Sequence, residues 1–170
     1  MQYRFCPSCS SELILSPKPP SKKNRYHCPR CEFVHYDNPK PCIGAVIIEN
    51  GKVLLTRRAY EPYKDHWDFP GGFLESGENH ENGLVRELDE ELKINVKIGR
   101  ILGIYPDFYG PGGDPTLNIY YLCKILGGQI TPRPNEISEA KWFELNELPS
   151  KLAFGHVKLV LEEWRIRASC

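Results

Sequence analysis

Hydrophobic residues in the segment 38–170 recur with the two-residue period of strands in some stretches and with the helical period in others. The apolar, β-branched run Cys42–Glu49 predicts a buried strand. Asn50-Gly51 predicts a two-residue hairpin turn, after which Lys52–Arg58 returns as a second strand. The same criteria predict three later strands, which are Val96–Ile104, Leu117–Leu126 and Glu136–Phe143.

Two segments show the helical period instead. In Asn79–Leu92, the residues Val85, Leu88 and Leu92 lie at i, i+3 and i+7 and predict an apolar stripe that docks on a sheet. Gly155–Ala168 predicts an amphipathic helix whose inward residues are Val157, Val160, Leu161 and Trp164. Strands interleaved with two helices predict an α/β layered domain.

The segment Tyr105–Thr116 is predicted to be the loop between two of these strands. It contains the glycine-rich run Gly110–Gly113, flanked by Tyr105, Phe108 and Tyr109. A flexible aromatic loop suits a cover over a base or ribose, and it also suits a homodimer contact. Both interpretations stay open at this point.

Residues 1–37 carry a separate chemistry. Cys6-Pro-Ser-Cys9 and Cys28-Pro-Arg-Cys31 are two Cys-x-x-Cys pairs with 18 residues between them, the spacing of a four-cysteine zinc site. The segment is too short and too poor in apolar residues to hold a core unaided, so a structural metal makes physical sense. Disulfides and a redox dithiol are the alternatives, and the matched pairs without an export signal favour zinc. The stiff linker Asn38–Pro41 then separates a zinc ribbon, 1–37, from the main domain, 38–170.

Composition narrows the class of protein. Apolar residues at 41% and charged residues at 26% are typical of a soluble globular protein, and a formal net charge of +0 gives no general attraction to nucleic acid or membrane. No apolar run approaches the ~18 residues of a spanning helix, and the first residues lack a signal-peptide core. We therefore expect a cytoplasmic protein.

The segment between Ile14 and Glu32 contains five basic residues, Lys18, Lys22, Lys23, Arg25 and Arg30. We interpret it as a solvated loop rather than a contact for nucleic acid or polyphosphate.

The acidic residues of the first predicted helix fall on one face, with Glu87, Glu90 and Glu91 at i, i+3 and i+4. Like charges four residues apart repel by a few tenths of a kcal/mol, and anions near a helix C-terminus oppose its dipole. A cluster that local physics disfavours indicates a site for hard cations such as Mg²⁺ or Mn²⁺. A solvated acidic face is the alternative.

The spacing around this face decides between the two. The pattern is Gly72, five residues, Glu78, seven residues, Arg86-Glu87-Leu88, one residue and Glu90-Glu91, preceded by Trp67-Asp68-Phe69-Pro70-Gly71. It resembles the signature box of the Nudix hydrolases, which cleave nucleoside diphosphates linked to another group. Lys93 replaces the family's glycine, which would end the helix in a left-handed turn, so the geometry of the helix end is open.

The resemblance implies a fold and a set of roles. The fold is a mixed sheet between helices, an α/β/α sandwich over residues 38–170, and the NADH pyrophosphatase branch also carries an N-terminal zinc ribbon. The implied magnesium ligands are Glu87, Glu90, Glu91 and the backbone carbonyl of Gly71. Glu78 is expected to pair with Arg86 and hold the loop against the helix. Glu136 is the candidate general base, with Glu139 as its rival.

Substrate contacts are expected from the remaining candidates. Arg57 or Arg58, at the end of a strand, meets a substrate phosphate or is surface charge. Tyr105, Phe108 and Tyr109 are the candidates for stacking on a base. The Ser-Gln-Pro-Trp-Pro-Phe-Pro array of the NADH pyrophosphatase branch is missing after the box, so the expected substrate is a small nucleotide, ADP-ribose first and NADH second. A zinc-ribbon nucleotide- or RNA-binding module, non-catalytic or directed at RNA caps, is the alternative, which the complete set of acids disfavours.

Overall fold

The computed structural model describes residues 3–17, 22–144 and 146–168, and it describes residues 165–168 by their backbone alone. Lys18, one of the five basic residues, lies outside the described residues. The chain divides into two compact units, Met1–Asn38 and Pro39–Cys170. Across the described ranges, no helix has the length and apolar character needed to cross a membrane.

The first unit is a small hairpin built around cysteines. Strands β1 (Ile14–Pro17) and β2 (Asn24–His27) pair antiparallel. The buried residues of this unit are Cys6, Leu13 and Cys28, with Tyr26, Cys31 and Phe33 packed against them. Since Ile14 and Leu15 are about half exposed, ordinary apolar packing supplies little of this core.

Seven strands of the described chain form the mixed sheet of the second unit. They are β3 (Lys40–Glu49), β4 (Lys52–Arg58), β5 (Trp67–Asp68), β6 (Gly71–Phe73), β7 (Ile94–Phe108), β8 (Pro115–Gly128) and β9 (Ile137–Glu144). The strand order is β5-β4-β3-β8-β7, with β6 also paired to β3 and β9 to β4. Only the β3–β8 pairing is parallel among these described strands.

One helix covers each face of this sheet, as the alternation along β3 shows. Ile43, Ala45 and Ile47 join the core under α1 (His80–Leu92), whereas Val46 joins the core under α2 (Gly155–Ala168). Successive strand residues point to opposite faces, so the two cores lie on opposite sides of the sheet. The α/β/α sandwich is therefore confirmed. The predicted inward face of α2 is confirmed too, since Val157, Val160 and Leu161 are buried and Trp164 packs against the same core.

The apolar stripe of α1 is one residue away from its predicted position. Leu84, Leu88 and Leu92 are fully buried, whereas Val85 is 38% exposed, so the prediction for Val85 was wrong. Residues four apart share a helix face, and Val85 is rotated from Leu84 by about 100° around the axis. The docked face thus follows the leucines.

The predicted loop Tyr105–Thr116 is also corrected. Strand β7 continues to Phe108 and β8 begins at Pro115, so only residues 109–114 connect them. Pro106 lies inside β7, which is possible because β7 is at the edge of the sheet and needs no donor on its outer side.

The ends of α1 have defined caps. The side chain of Asn79 accepts a hydrogen bond from the amide of Glu81 at 2.9 Å, so the helix itself begins at His80. At the other end Lys93 adopts the left-handed conformation, with φ 58° and ψ 34°. The helix therefore ends with the geometry of a C-terminal glycine although the residue is lysine.

Candidate active site

The four cysteines of the first unit have sulfur atoms that all lie within 4.8 Å of one another. The Sγ–Sγ distances are 3.6 Å for Cys6 and Cys31, and 3.4 Å for Cys9 and Cys28. A tetrahedron with Zn–S bonds of about 2.3 Å has edges of about 3.8 Å. All four are free thiols rather than disulfides. The donor set and its spacing fit a closed, structural zinc site.

Glu91 is the buried member of the acidic face of α1, only 8% exposed. Its carboxylate accepts a hydrogen bond of 2.9 Å from the backbone amide of Gly71. Burial raises the pKa of Glu91 well above its usual value, and the charges of Glu87 and Asp68 raise it further. A buried carboxylate with one backbone donor and acidic neighbours is a group that a divalent cation would stabilise.

Glu87 lies against the same β6 segment. Its carboxylate accepts from Arg86 Nη1 at 2.9 Å. A Cβ atom on Gly72 would come within 2.5 Å of the Glu87 carboxyl carbon, so a side chain there would displace the carboxylate from its present position. Burial raises the pKa of Glu87, whereas Arg86 lowers it. The box glycine and the first of the three acids therefore fit together sterically.

Glu78 and Arg86 form a two-pronged ion pair. Arg86 Nε lies 2.8 Å from Glu78 Oε1, and Arg86 Nη2 lies 2.9 Å from Glu78 Oε2. Arg86 also donates to the carbonyl of Phe73 at 3.3 Å. The hydrogen bonds that Glu78 accepts from Arg86, together with one from the Glu75 amide, lower the pKa of Glu78 to about 2. The contact predicted from the sequence is present, and it ties the loop before α1 to the helix.

Arg133 forms ion pairs with two acids, Glu90 on the exposed side of α1 and Glu136. Arg133 Nη1 lies 2.8 Å from Glu136 and 3.8 Å from Glu90. Glu136 directly precedes β9 rather than beginning it, and its charge helps to raise the pKa values of Glu87 and Glu91.

Glu139, the rival base, lies farther along β9 and pairs with Arg57 at 3.8 Å. Glu136 is among the main causes of the raised pKa values of Glu87 and Glu91. The choice of Glu136 over Glu139 as the general base stays a prediction. In the parts of the chain that the structure describes, only the cysteine quartet has three or more ligand atoms already gathered within 4.8 Å; the outer carboxylates face arginines instead.

A cleft of ≈ 510 Å³, counting space open to solvent, begins where this acidic face ends. Gly71 and Gly72 line it, and the same two residues contact Glu91 and Glu87. Its aromatic walls are Tyr60, Phe69, Phe73, Tyr109, Tyr120 and Phe154, and its polar lining includes Arg58, Asp68, Thr116, Asn118 and His156.

Most of this lining was not predicted from the sequence, because it comes from strands and loops far apart in the chain. Asp68 was the most detectable member, since it interrupts an apolar stretch directly before the box. His156 and Asn118 lie in segments that the sequence assigned only to a helix and a strand. No local pattern marks either residue as part of a cleft.

The predicted substrate contacts divide into two groups. Tyr109 and Arg58 line the cleft. Arg57 is outside it and pairs with Asp65 at 3.2 Å. Phe108 is 60% exposed and also outside the lining. Tyr105 is outside too, because its hydroxyl bonds to a carboxylate of α2 and its ring packs on Tyr120.

The guanidinium group of Arg58 is held by hydrogen bonds and aromatic contacts with its neighbours around the cleft. It donates to the carbonyl of Pro62 at 2.8 Å and to the hydroxyl of Tyr109 at 3.1 Å. Its guanidinium lies 4.8 Å from the ring centre of Tyr60 and 5.2 Å from that of Phe154. These contacts stiffen the aromatic wall. Arg58 is 8% exposed, so the surface-charge alternative was wrong, whereas its contact with a substrate phosphate stays a prediction.

Comparison with known proteins identifies the family. The family model for the NUDIX domain matches residues 38–162, and the model described as Nudix N-terminal matches residues 4–37. The chain therefore belongs to the Nudix family and is a pyrophosphohydrolase.

Individual relatives cover the chain to different extents. An ADP-ribose pyrophosphatase of Methanocaldococcus jannaschii is 35% identical over 133 residues, 76% of each chain. The NAD-capped RNA hydrolase NudC of Vibrio parahaemolyticus is 28% identical over 163 residues, which are 96% of this chain but 59% of NudC. The chain thus spans about three fifths of that relative. A crystal structure of a NUDIX hydrolase from Nitrosomonas europaea superposes with a TM-score of 0.82 at 29% identity, covering 98% of this chain and 93% of the other.

Proposed function

We propose that this protein is a Mg²⁺- or Mn²⁺-dependent hydrolase of nucleoside diphosphates linked to a sugar, with ADP-ribose as the first substrate and NADH as the second. The observation that carries the proposal is the junction at Gly71 and Gly72, where an aromatic cleft meets the acidic face of α1. A nucleoside bound between the aromatic walls would extend its diphosphate towards the carboxylates. The similarity to a protein named ADP-ribose pyrophosphatase supports the same substrate.

The acidic residues would hold the metal. Glu87, Glu90, Glu91 and the carbonyl of Gly71 are the proposed ligands. A bound divalent cation would neutralise the charge of the diphosphate and favour attack by water. The observation that supports a cation here is the carboxylate of Glu91, which is buried and accepts a hydrogen bond from the backbone amide of Gly71.

The neighbouring residues would position these groups. Arg86, held by Glu78, fixes the carboxylate of Glu87 through a hydrogen bond of 2.9 Å. Glu136, held by Arg133, is the proposed base that removes a proton from the attacking water. Hydrolysis of ADP-ribose would then give AMP and ribose 5-phosphate.

A substrate panel tests the proposal. The values of kcat/KM are compared for ADP-ribose, NADH, FAD, dinucleoside polyphosphates, nucleoside triphosphates and an NAD-capped RNA, each with Mg²⁺, with Mn²⁺ and with EDTA. ADP-ribose is expected to give the highest value, and EDTA is expected to abolish turnover. The Glu91→Gln variant, purified in parallel, controls for contaminating hydrolases.

Two results would contradict the proposal. A preference for NADH over ADP-ribose by tenfold or more, about 1.4 kcal/mol, would overturn the assignment of substrate. The absence of hydrolysis across the whole panel would favour a nucleotide-binding module. A preference for the capped RNA would extend to this chain the activity for which its NudC relatives are named.

A further inference from the structure

The polar lining of the cleft contains a side-chain amide, that of Asn118, whose orientation is fixed. Asn118 is 6% exposed, and its Nδ2 donates to the carbonyl of Tyr105 and to Thr116 Oγ1, both at 3.0 Å. A carbonyl oxygen can only accept, so the amide nitrogen must face Tyr105. Both amide hydrogens are then used. The remaining atom, Oδ1, is an acceptor for which the described residues supply no donor.

A histidine in the same lining, His156, is also held in a defined orientation. His156 is 5% exposed, and its Nδ1 lies 2.7 Å from Asp107 Oδ2. Burial alone would raise the pKa of Asp107, but hydrogen bonds from the Phe108 amide and from His156 hold it below its usual value. An ionised carboxylate only accepts, so Nδ1 carries a hydrogen and faces Asp107, and Nε2 is the ring nitrogen left for a ligand. The described residues provide no partner for Nε2.

Asp68 adds a carboxylate to the lining of the same cleft. Its Oδ1 accepts from the amide of Phe69 at 2.8 Å, and its Oδ2 lies 3.7 Å from Arg58 Nη1. The side chain therefore also offers acceptor capacity to a ligand. Asn118, His156 and Asp68 come from three different elements, yet all three line one cleft, and Asn118 and Asp68 bring oxygen acceptors to it.

On the basis of the proposed function, we infer that this polar lining binds the exocyclic amino group of a nucleobase and that the enzyme selects 6-aminopurine over 6-oxopurine diphosphates. Aromatic walls such as Tyr109 and Phe154 suit a flat ring. Acceptors at its edge require a donor, which adenine has at position 6. Hypoxanthine has an oxygen there, so its lone pairs would face those of Asn118 and leave buried acceptors unpaired.

The test compares two substrates that differ at this position, ADP-ribose and its hypoxanthine counterpart, inosine diphosphate ribose. The ratio of their kcat/KM values is expected to favour ADP-ribose by roughly tenfold or more. Both substrates are measured on one preparation, so a loss of folded protein cancels from the ratio. Asn118→Ser is expected to bring the ratio towards one. Leu159→Ala, at a half-exposed position of α2, is the matched control and should keep the wild-type ratio.

Each result decides the inference. A wild-type kcat/KM ratio near one, or a preference for the inosine compound, overturns the inference. If Asn118→Ser does not fold, the ratio measured on the wild type alone decides. If neither compound is hydrolysed, the proposed function fails separately, and calorimetric binding of AMP and IMP to the intact protein replaces the kinetic comparison. Tighter binding of AMP would then support the inference, and equal or weaker binding would overturn it.

Discussion

The backbone amide of Gly71 donates a hydrogen bond to the buried carboxylate of Glu91 across 2.9 Å. This contact joins strand β6 to helix α1 and places the acid at the rim of the cleft. Gly71 has a φ of 144°, and a side chain there would overlap the carbonyl oxygen of Ile43. The position therefore requires glycine.

Replacing Glu91 by glutamine tests whether this acid serves catalysis at the expense of stability. Turnover of ADP-ribose with Mg²⁺ is expected to fall by orders of magnitude, because the neutral side chain holds a cation poorly. In EDTA the free energy of unfolding is expected to rise, because a buried charge near Glu87 and Asp68 is removed. Steady-state kinetics and urea denaturation measure the two effects.

The matched control is Glu81→Gln, at an exposed acid in the first turn of the same helix. It should keep wild-type turnover and slightly weaken the helix, because an anion near the N-terminus is stabilising. Near-normal rates for Glu91→Gln at saturating metal would show that Glu91 is not a ligand.

Zinc content tests the cysteine quartet. The purified protein is expected to contain one zinc ion per chain, and Cys6→Ser is expected to lose most of it, because three thiolates no longer close the tetrahedron. Cys123→Ser is the control, since Cys123 is buried in the sheet domain and should leave the zinc content unchanged. Elemental analysis that finds no zinc in the wild type would refute the site.

Chelation should affect the two units unequally. Loss of zinc is expected to unfold the N-terminal unit first, because its apolar core is small, while the sheet domain keeps its structure. Hydrogen exchange with and without a strong chelator measures this for each unit. Simultaneous loss of protection in both units would contradict the prediction.

The ion pair of Glu78 and Arg86 predicts a defined dependence of stability on pH. Hydrogen bonds from Arg86 lower the pKa of Glu78 from 4.5 to about 2. A carboxylate with a depressed folded-state pKa stabilises the fold above its unfolded pKa and loses this effect as pH falls through the folded value. The difference in unfolding free energy between wild type and Glu78→Gln should therefore be constant above pH ~4.5 and shrink towards pH ~2.

The partner variant supplies the control for this experiment. In an Arg86→Gln background, Glu78→Gln should change the pH dependence in this window much less, because the main group that lowers the pKa is absent and only the Glu75 amide remains as a donor. An unchanged effect in that background would assign the shift to another neighbour.

The left-handed backbone conformation of Lys93 predicts that a glycine at this position stabilises the protein. A non-glycine residue in the left-handed conformation is strained, so Lys93→Gly should raise the free energy of unfolding by about 0.5–1 kcal/mol. Lys93→Ala is the control, because it removes the exposed contact with Asp89 at 3.6 Å but keeps the backbone strain. Urea denaturation that finds equal stability for both variants would show that the conformation is not costly here.

The sequence by itself determined the features that depend on spacing within one segment. The Cys-x-x-Cys pairs and the acidic face of α1 follow from local spacing, and the pairing of Glu78 with Arg86 follows from the family resemblance. The mixed sheet and the sandwich came from the family resemblance rather than from local pattern, and the strand order came from the tertiary structure. Val85 was misplaced because a pattern of three apolar residues fits two neighbouring helix faces, and only packing distinguishes them.

The tertiary structure alone decided the cleft. Tyr60, Asp68, Asn118 and His156 belong to four segments, and the register of β3 with β8 and the docking of α2 bring them together. It also decided that Arg58 stiffens an aromatic wall and that Phe108 faces solvent. Contacts between distant segments depend on how strands align and helices dock, which periodicity within a segment does not specify. The proposed recognition of the substrate rests on these contacts, whereas the proposed ligands of both metals lie in short local patterns of the sequence.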